Sequence, residues 1–389
     1  MTGGGTCVSV RAPLKRKDVE GNMADDRIEK MARVLVEYSL GIKKGDLFVI
    51  NGIDETAPLL RAVYRQALLK GAHVSVHVGI AGMRELFFKH AKRHQLEHVS
   101  PFVRFRMQRM TAYLGLFNQH NPKSLSGIDP KVQAIAQQAR RPLIKVFDRR
   151  EKAGELRWCG TIFPTSAHAQ EAEMSLAEYE DFVYGACLAE KRDPVAEWKK
   201  ISREQAKLVR KLAKFKKVRV VAPDTDLTLS VAGRTWVNCD GKQNFPDGEV
   251  FTGPVENSAE GHIRYTFPAC YGGREVEDVR LEFRKGKVVK ATAAKNEKYL
   301  HHMIEMDPGA KRIGEFAIGT NYGIKRFTKE ILFDEKIGGT CHLALGRSIP
   351  ESGGKNTSVL HWDMICDLRK GSTIYGDEKV IYKNGKFVI

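Results

Sequence analysis

The chain has 389 residues, 42% hydrophobic and 29% charged, which suits two or three domains with ample core. No run of about 18 apolar residues occurs, which excludes a transmembrane helix. The seven cysteines (Cys7, Cys159, Cys187, Cys239, Cys270, Cys341 and Cys366) are odd in number and form no C-x-x-C pair. They read as buried thiols of a reduced, intracellular protein, not as a disulfide framework or a Cys-ligated zinc site. The net charge of +17 raises nucleic-acid binding as one function class.

In chain order, residues 1–23 are basic and Gly-rich without an apolar h-region. They are expected to be a disordered basic tail and not a signal peptide, so the protein is expected in the cytoplasm. "DRIEKMARVLVEYSLG" places Ile28, Met31, Leu35 and Tyr38 on one helical face and ends at Gly41. "DLFVIN" is a short strand, "TAPLLRAVYRQALLKG" a second helix and "HVSVHVG" a second strand. Strand, helix and strand within about 30 residues make a βαβ unit and hence a parallel sheet. No G-x-G-x-x-G follows the first strand, so dinucleotide binding is not expected. His90, His94 and His98 recur at helical spacing among Lys89, Lys92 and Arg93, and read as a solvated basic helix face. His73 and His77 read as satisfied sheet histidines.

The two densest basic runs are "FVRFRMQRM" and Glu197–Arg219. With Val195 just before it, the second keeps Trp198, Ile201, Leu208 and Leu212 at helical spacing, so it reads as an amphipathic helix with a solvated basic face. Neither run accompanies a nucleic-acid motif, and a nucleic-acid partner is kept only as the alternative function. From Lys217 onward short strands and turns dominate, closing with "KVIYKNGKFVI" and its Asn384-Gly385 turn. The fold class expected is α/β plus α+β: a Rossmann-like unit with a parallel sheet over residues 24–200, then a mixed α+β unit over 201–389.

The chemistry-bearing residues lie in that second half. In "VLHWDMICDLR" the apolar residues Trp362, Met364, Cys366 and Leu368 alternate with His361, Asp363, Ile365 and Asp367. Residues i and i+2 of a strand share a face about 7 Å apart. His361 and Asp363 therefore either pair with each other or water, or grip a cation. Glu249 follows a Pro-Asp-Gly turn, Glu315 sits in "RIGEFAIGTNYG", and His342 lies in the apolar "GGTCHLALGR". Three carboxylates and two imidazoles at strand positions are costly unless paired or metal-bound. The set fits two divalent cations sharing a carboxylate, with zinc, cobalt or manganese favoured by mixed O and N donors. No H-E-x-x-H, G-x-S-x-G or P-loop occurs.

"NFPDGEVFTGPVENSAEG", "GEFAIGTN", "GGTCHLALG" and "GGKNTSVLHWDMICDLR" closely resemble the thermophilic metallo-aminopeptidases, the family of aminopeptidase T and aminopeptidase S. "RWCGTIFPTSAHAQEAEMSLAEYEDFVY" and "DTDLTLSVAGRTW" are similar too, so the resemblance spans nearly everything after Met23. It implies removal of N-terminal residues from peptide substrates by a two-metal site, usually cobalt or zinc. It also implies a metal-bearing C-terminal domain and a homodimer with active sites facing an interior cavity. Carried over, the ligands fall on Glu249, Glu315, His342, His361 and Asp363. The family commonly has a tyrosine seven residues after the metal histidine, where this chain has Ile349. An isoleucine donates no hydrogen bond to an oxyanion, so Tyr322 and Arg347 are the expected substitutes. Glu256 is the candidate proton acceptor.

Overall fold

The computed structural model describes residues 25–389; the expected tail over 1–23 lies outside the described residues. The first helix, Asp26–Val34, starts where the Asp25 carboxylate accepts the Arg27 N–H. It buries Met31, Ala32 and Val34; of the expected stripe Met31 and Leu35 are fully buried, and Ile28 and Tyr38 pack partly buried against the same core. Strands Leu47–Ile53, His73–Gly79, Ala112–Leu116 and Arg157–Thr161 pair in parallel with helix Ala57–Leu69 as the first crossover, giving the expected α/β unit.

A fifth strand, Asn244–Phe245, pairs in parallel beside Arg157–Thr161. It comes from far along the chain, as do Ile324, Leu332, Phe333 and Ile337, which join the same hydrophobic core. The continuous helix expected to align His90, His94 and His98 is absent. The helix Met83–His90 stops at an extended Ala91, and the short helix Arg93–Leu96 follows, turning Leu96 inward. Local spacing lost there to burial of one leucine. His77 lies on the exposed edge strand with Ser75 and Arg106 as partners.

The remaining chain forms the α+β part: an eight-stranded sheet and a five-stranded antiparallel sheet. The helix Pro194–Leu212 precedes it, burying Val195, Trp198 and Leu212 and leaving its lysines and arginines outside. In the five-stranded sheet the spatial order is His361–Asp367, Thr340–Gly346, Ile313–Gly319, Glu249–Thr252, Val237–Cys239. One face supplies Val250, Phe316, Ile318, Leu343, Leu345, Trp362 and Met364 to the second core, opposite Val218, Val220 and Phe283. Each such side chain contributes roughly 1.5–3 kcal/mol by leaving water, and together they fix the sheet's orientation. The other face is free for chemistry.

The approach to the His361 strand is clamped by Asp307. Its carboxylate accepts from the Gly309 and Ala310 N–H groups and from the Ser358 hydroxyl and the Val359 N–H. Burial works against the charge, but these hydrogen bonds outweigh it and hold the carboxyl below its ordinary pKa. A lowered folded-state pKa contributes stability above the unfolded value of about 3.9 that is lost as pH falls through the folded value. Asp307→Asn is therefore expected to lower the melting temperature at neutral pH, with the gap to the parent narrowing steadily below about pH 4. Thermal unfolding of both chains across that pH range checks it.

Candidate metal centre

Four neighbouring strands of the five-stranded sheet each bring part of one cluster. Glu249 opens its strand, Glu315 and His342 stand third on theirs, and His361 and Asp363 stand first and third on the last. Register puts them on the face away from the core. Gly319 pairs with Glu249, Ala317 with His342, and Ala344 with both Glu315 and Asp363. The residues between the ligands are thus glycine and alanine, and the two carboxylates meet over the Ala344 methyl.

Glu315 owes its place to a bulge. Ile313 pairs with Leu345 and Glu315 with the adjacent Ala344, so Gly314 is an extra residue. Strict alternation would put Glu315 on the same face as Ile313, in the core. The bulge resets the phase. Gly314 is required there because a Cβ would sit 2.2 Å from the Gly346 carbonyl oxygen.

The donor atoms form two groups around the two imidazoles. His342 Nε2 lies 3.4 Å from Glu249 Oε2, 3.6 Å from Glu315 Oε1 and 3.9 Å from Asp363 Oδ1. His361 Nε2 lies 3.8 Å from Glu315 Oε2 and 3.5 Å from Asp363 Oδ2. Glu315 and Asp363 therefore offer one oxygen to each histidine. These separations are long for hydrogen bonds. Two donors held about 2.0–2.2 Å from one tetrahedral ion stand roughly 3.3–3.6 Å apart; three of the five separations fall in that range and the other two, 3.8 and 3.9 Å, lie just beyond it.

Satisfaction of polar groups gives an independent test of fit. Glu249 Oε2, Asp363 Oδ1 and both ring nitrogens of His342 are buried without a hydrogen-bond partner. Orphans of this kind are rare in folded proteins, and here three of them converge on one point. His361 is oriented differently: its Nδ1 lies 2.7 Å from the Arg347 carbonyl oxygen. That contact selects the tautomer whose Nε2 lone pair faces the carboxylates. The donor set fits divalent ions of the zinc and cobalt type.

Electrostatics tell the same story. Burial and the neighbouring carboxylates Glu335 and Glu315 push the Glu249 carboxyl up to about 8, against the pull of Lys336 and His342. Burial opposes charge on His342, but Glu315, Glu249 and Asp363 outweigh it and push the imidazole up to about 9. Such values mark a concentration of negative charge that calls for cations.

Three residues of the cluster, Asp247, Glu335 and Lys336, were not singled out from sequence. Glu335 places an oxygen within 4.8 Å of ligand atoms of His342 and Asp363. Lys336 is 1% exposed, and its ammonium donates to Glu249 Oε1 at 2.6 Å and to Glu335 Oε1 at 2.5 Å, with Asp247 Oδ1 at 3.6 Å. Gly319 makes this possible: a Cβ there would lie 2.1 Å from the Ile337 carbonyl oxygen. Only a glycine lets that segment press its charged residues onto the ligand face. The signal in sequence is faint, since "DEKIGG" reads as a solvated turn.

The three residues expected to act catalytically have other partners. Glu256 accepts from Arg234 at 2.7 Å and from the Lys355 N–H at 2.7 Å. Burial raises its pKa, but the N–H contacts and Arg234 win and hold it low, which suits an anchor for the 353–355 turn better than a proton acceptor. The Tyr322 hydroxyl donates to the Gly385 carbonyl. Arg347 is exposed, and its backbone carbonyl, not its guanidinium, touches His361. Ile349 is half-buried and its carbonyl accepts the Ser352 hydroxyl at the head of a short helical turn.

The sequence model of the thermophilic metalloprotease (M29) family matches residues 24–387. Aminopeptidase 2 of Geobacillus stearothermophilus is 27% identical over 94% of this chain and 98% of its own length. Aminopeptidase T of Thermus thermophilus is 27% identical over 93% and 98%. Aminopeptidase PepS of Streptococcus thermophilus is 26% identical over 94% and 98%. Among solved structures, wild-type AmpT from Thermus thermophilus superposes with a TM-score of 0.81 at 23% identity, covering 93% of this chain and 99% of that one. That likeness supports the two-part fold.

The two faces of the sheet give a paired test. Glu315→Gln is expected to reduce turnover by more than about 100-fold, because a neutral amide cannot balance a bound cation. Cys341 pairs with Cys366 on the core face. Cys341→Ser is expected to cost about 1–3 kcal/mol of stability by burying a hydroxyl while leaving kcat nearly intact. Turnover and unfolding measured on both variants would refute the face assignment if the two losses of activity were equal.

Proposed function

The chain is a metallo-aminopeptidase of the thermophilic metalloprotease (M29) family, and we propose that it works with two divalent ions, zinc or cobalt first and manganese next, held by Glu249, Glu315, His342, His361 and Asp363. The observation that carries this reading is the sharing of Glu315 and Asp363 between the two imidazoles, one oxygen of each carboxylate toward either ring. Charge supports the same count. Asp247, Glu249, Glu315, Glu335 and Asp363 bring five negative charges, Lys336 returns one, and two dications supply the other four.

Bound ions of this kind would lower the pKa of water and polarise a scissile carbonyl. The chain's own residues arrange the rest. His361 is the open side of the centre, with its side chain 23% exposed against 1% for His342, so the peptide's N-terminal residue arrives from there. Glu335 takes the place first given to Glu256. It is the most exposed carboxylate of the cluster at 15%, beside His342 and Asp363, and able to accept the proton of the attacking water and release it to the departing amine. We also propose a homodimer, which the resemblance implies, a cytoplasmic location, which the cysteine usage suggests, and a division between the units near residue 200, where short strands begin to dominate the sequence. The nucleic-acid alternative rests only on the net charge and on Ile349 in place of the family tyrosine.

Release of N-terminal leucine or arginine from chromogenic amides, with and without a chelator, tests the reading. Chelator-sensitive turnover is expected, and a chain that carries metal yet turns over no peptide amide would end it. Glu335→Gln is expected to lower kcat by about 10²–10⁴-fold with metal content unchanged. Glu256→Gln should act mainly on stability. The reverse ranking would restore Glu256 as proton acceptor.

A further inference from the structure

Beside the five ligands lies a second convergence of donors: the Cys239 thiol, the Asp247 carboxylate and the Glu249 carboxylate come within 4.8 Å of one another. Cys239 is the register partner of Glu249 on the edge strand. The Asp247 carboxylate is fixed by the Gly241 and Gly248 N–H groups. A thiol and two carboxylates are a donor set for zinc or cobalt. The position already holds a cation, since the Lys336 ammonium sits against Glu249 Oε1 and faces Asp247 Oδ1.

A lysine buried to 1% exposure is costly unless its charge is fully answered. Three carboxylates answer this one. The consequence for Glu249 is specific. Its Oε1 is committed to the ammonium, and only the unpartnered Oε2 remains on the His342 side.

Building on the two-ion reading, we infer that Lys336 is a positioning residue that fills a third cation position, formed by Cys239, Asp247 and Glu249, so that Glu249 gives the centre one oxygen and the ion count closes at two. Without the ammonium, Glu249 Oε1, Asp247 Oδ1 and the Cys239 sulfur would share a vacated volume and take up a further soft divalent ion, the thiol losing its proton as it binds.

The test titrates cobalt(II) into the metal-free full chain, reading ions bound per chain by equilibrium dialysis and looking for a cobalt–thiolate charge-transfer band. Lys336→Ala creates both room and charge. It is expected to bind one ion more than the parent and to show the band, which Cys239→Ser in the same background removes. Lys336→Met removes the charge and fills the room. It is expected to keep the parent's ion count, show no band, and lose turnover by about 10–100-fold through misplacement of Glu249, with KM nearly unchanged. An unchanged count in Lys336→Ala, an added ion without the band, or a band that survives Cys239→Ser overturns the inference. Because the readout is the difference from the parent, a parent that binds one ion would defeat the two-ion reading and leave this comparison intact. Should Lys336→Ala not fold, full parental turnover in Lys336→Met would also overturn it.

Discussion

Five carboxylates gathered on one face of a buried sheet repel each other, and everything near them answers that repulsion. Burial strips the charges of water, so the group either binds cations or takes up protons. Lys336 is the cation the chain itself supplies, placed against Asp247, Glu249 and Glu335. The glycine and alanine positions between the ligands leave space for a bound metal. The opposite face packs continuously from Val250 to Trp362, so the strands cannot splay to relieve the repulsion. Apolar burial, many times larger in sum than any one interaction here, holds the charged arrangement in place.

How much of this was readable in advance differs from residue to residue. His361 and Asp363 declared themselves by alternation against an apolar back. Both strand and facing follow from period-two spacing, and register bears them out. His342 was visible as an imidazole inside an apolar run. Glu315 is a different case: counted from Ile313 by twos it belongs in the core, and only the bulge at Gly314 brings it round. Bulges are set by pairing with another strand, so a single strand's sequence does not announce them.

Glu335 and Lys336 were hidden for a related reason. Adjacent charges before two glycines have every local mark of a solvated turn. Their burial arises because Ile337 and Phe333 pack into the first core while Gly319 lets the segment touch the second sheet. Glu256, Tyr322 and Arg347 are a different case: each stood near a motif in sequence, and the contacts they make are elsewhere, Glu256 with Arg234 and Tyr322 with the Gly385 carbonyl, while Arg347 meets His361 through its carbonyl. The histidines at 90, 94 and 98 are exposed as expected but share no single helix, because helical spacing carries information only while the helix continues.

The strand Asn244–Phe245 carries a consequence for how the chain is made. During synthesis the four parallel strands between residues 47 and 161 emerge first, but the sheet's far edge stays open until residue 245 arrives to pair with Gly160 and Thr161. The core beneath is completed later still, by Ile324, Leu332, Phe333 and Ile337. Contacts so distant in sequence form slowly and after a high cost in loop closure. The first half of the protein therefore leaves the ribosome as an unfinished layer with an exposed strand edge, the kind of surface that chaperones guard and that other chains can mistake for a partner. Both that core and the ligand face wait on late segments, so a chain truncated before Ile337 lacks the last residue of that core and three of the five ligands, His342, His361 and Asp363.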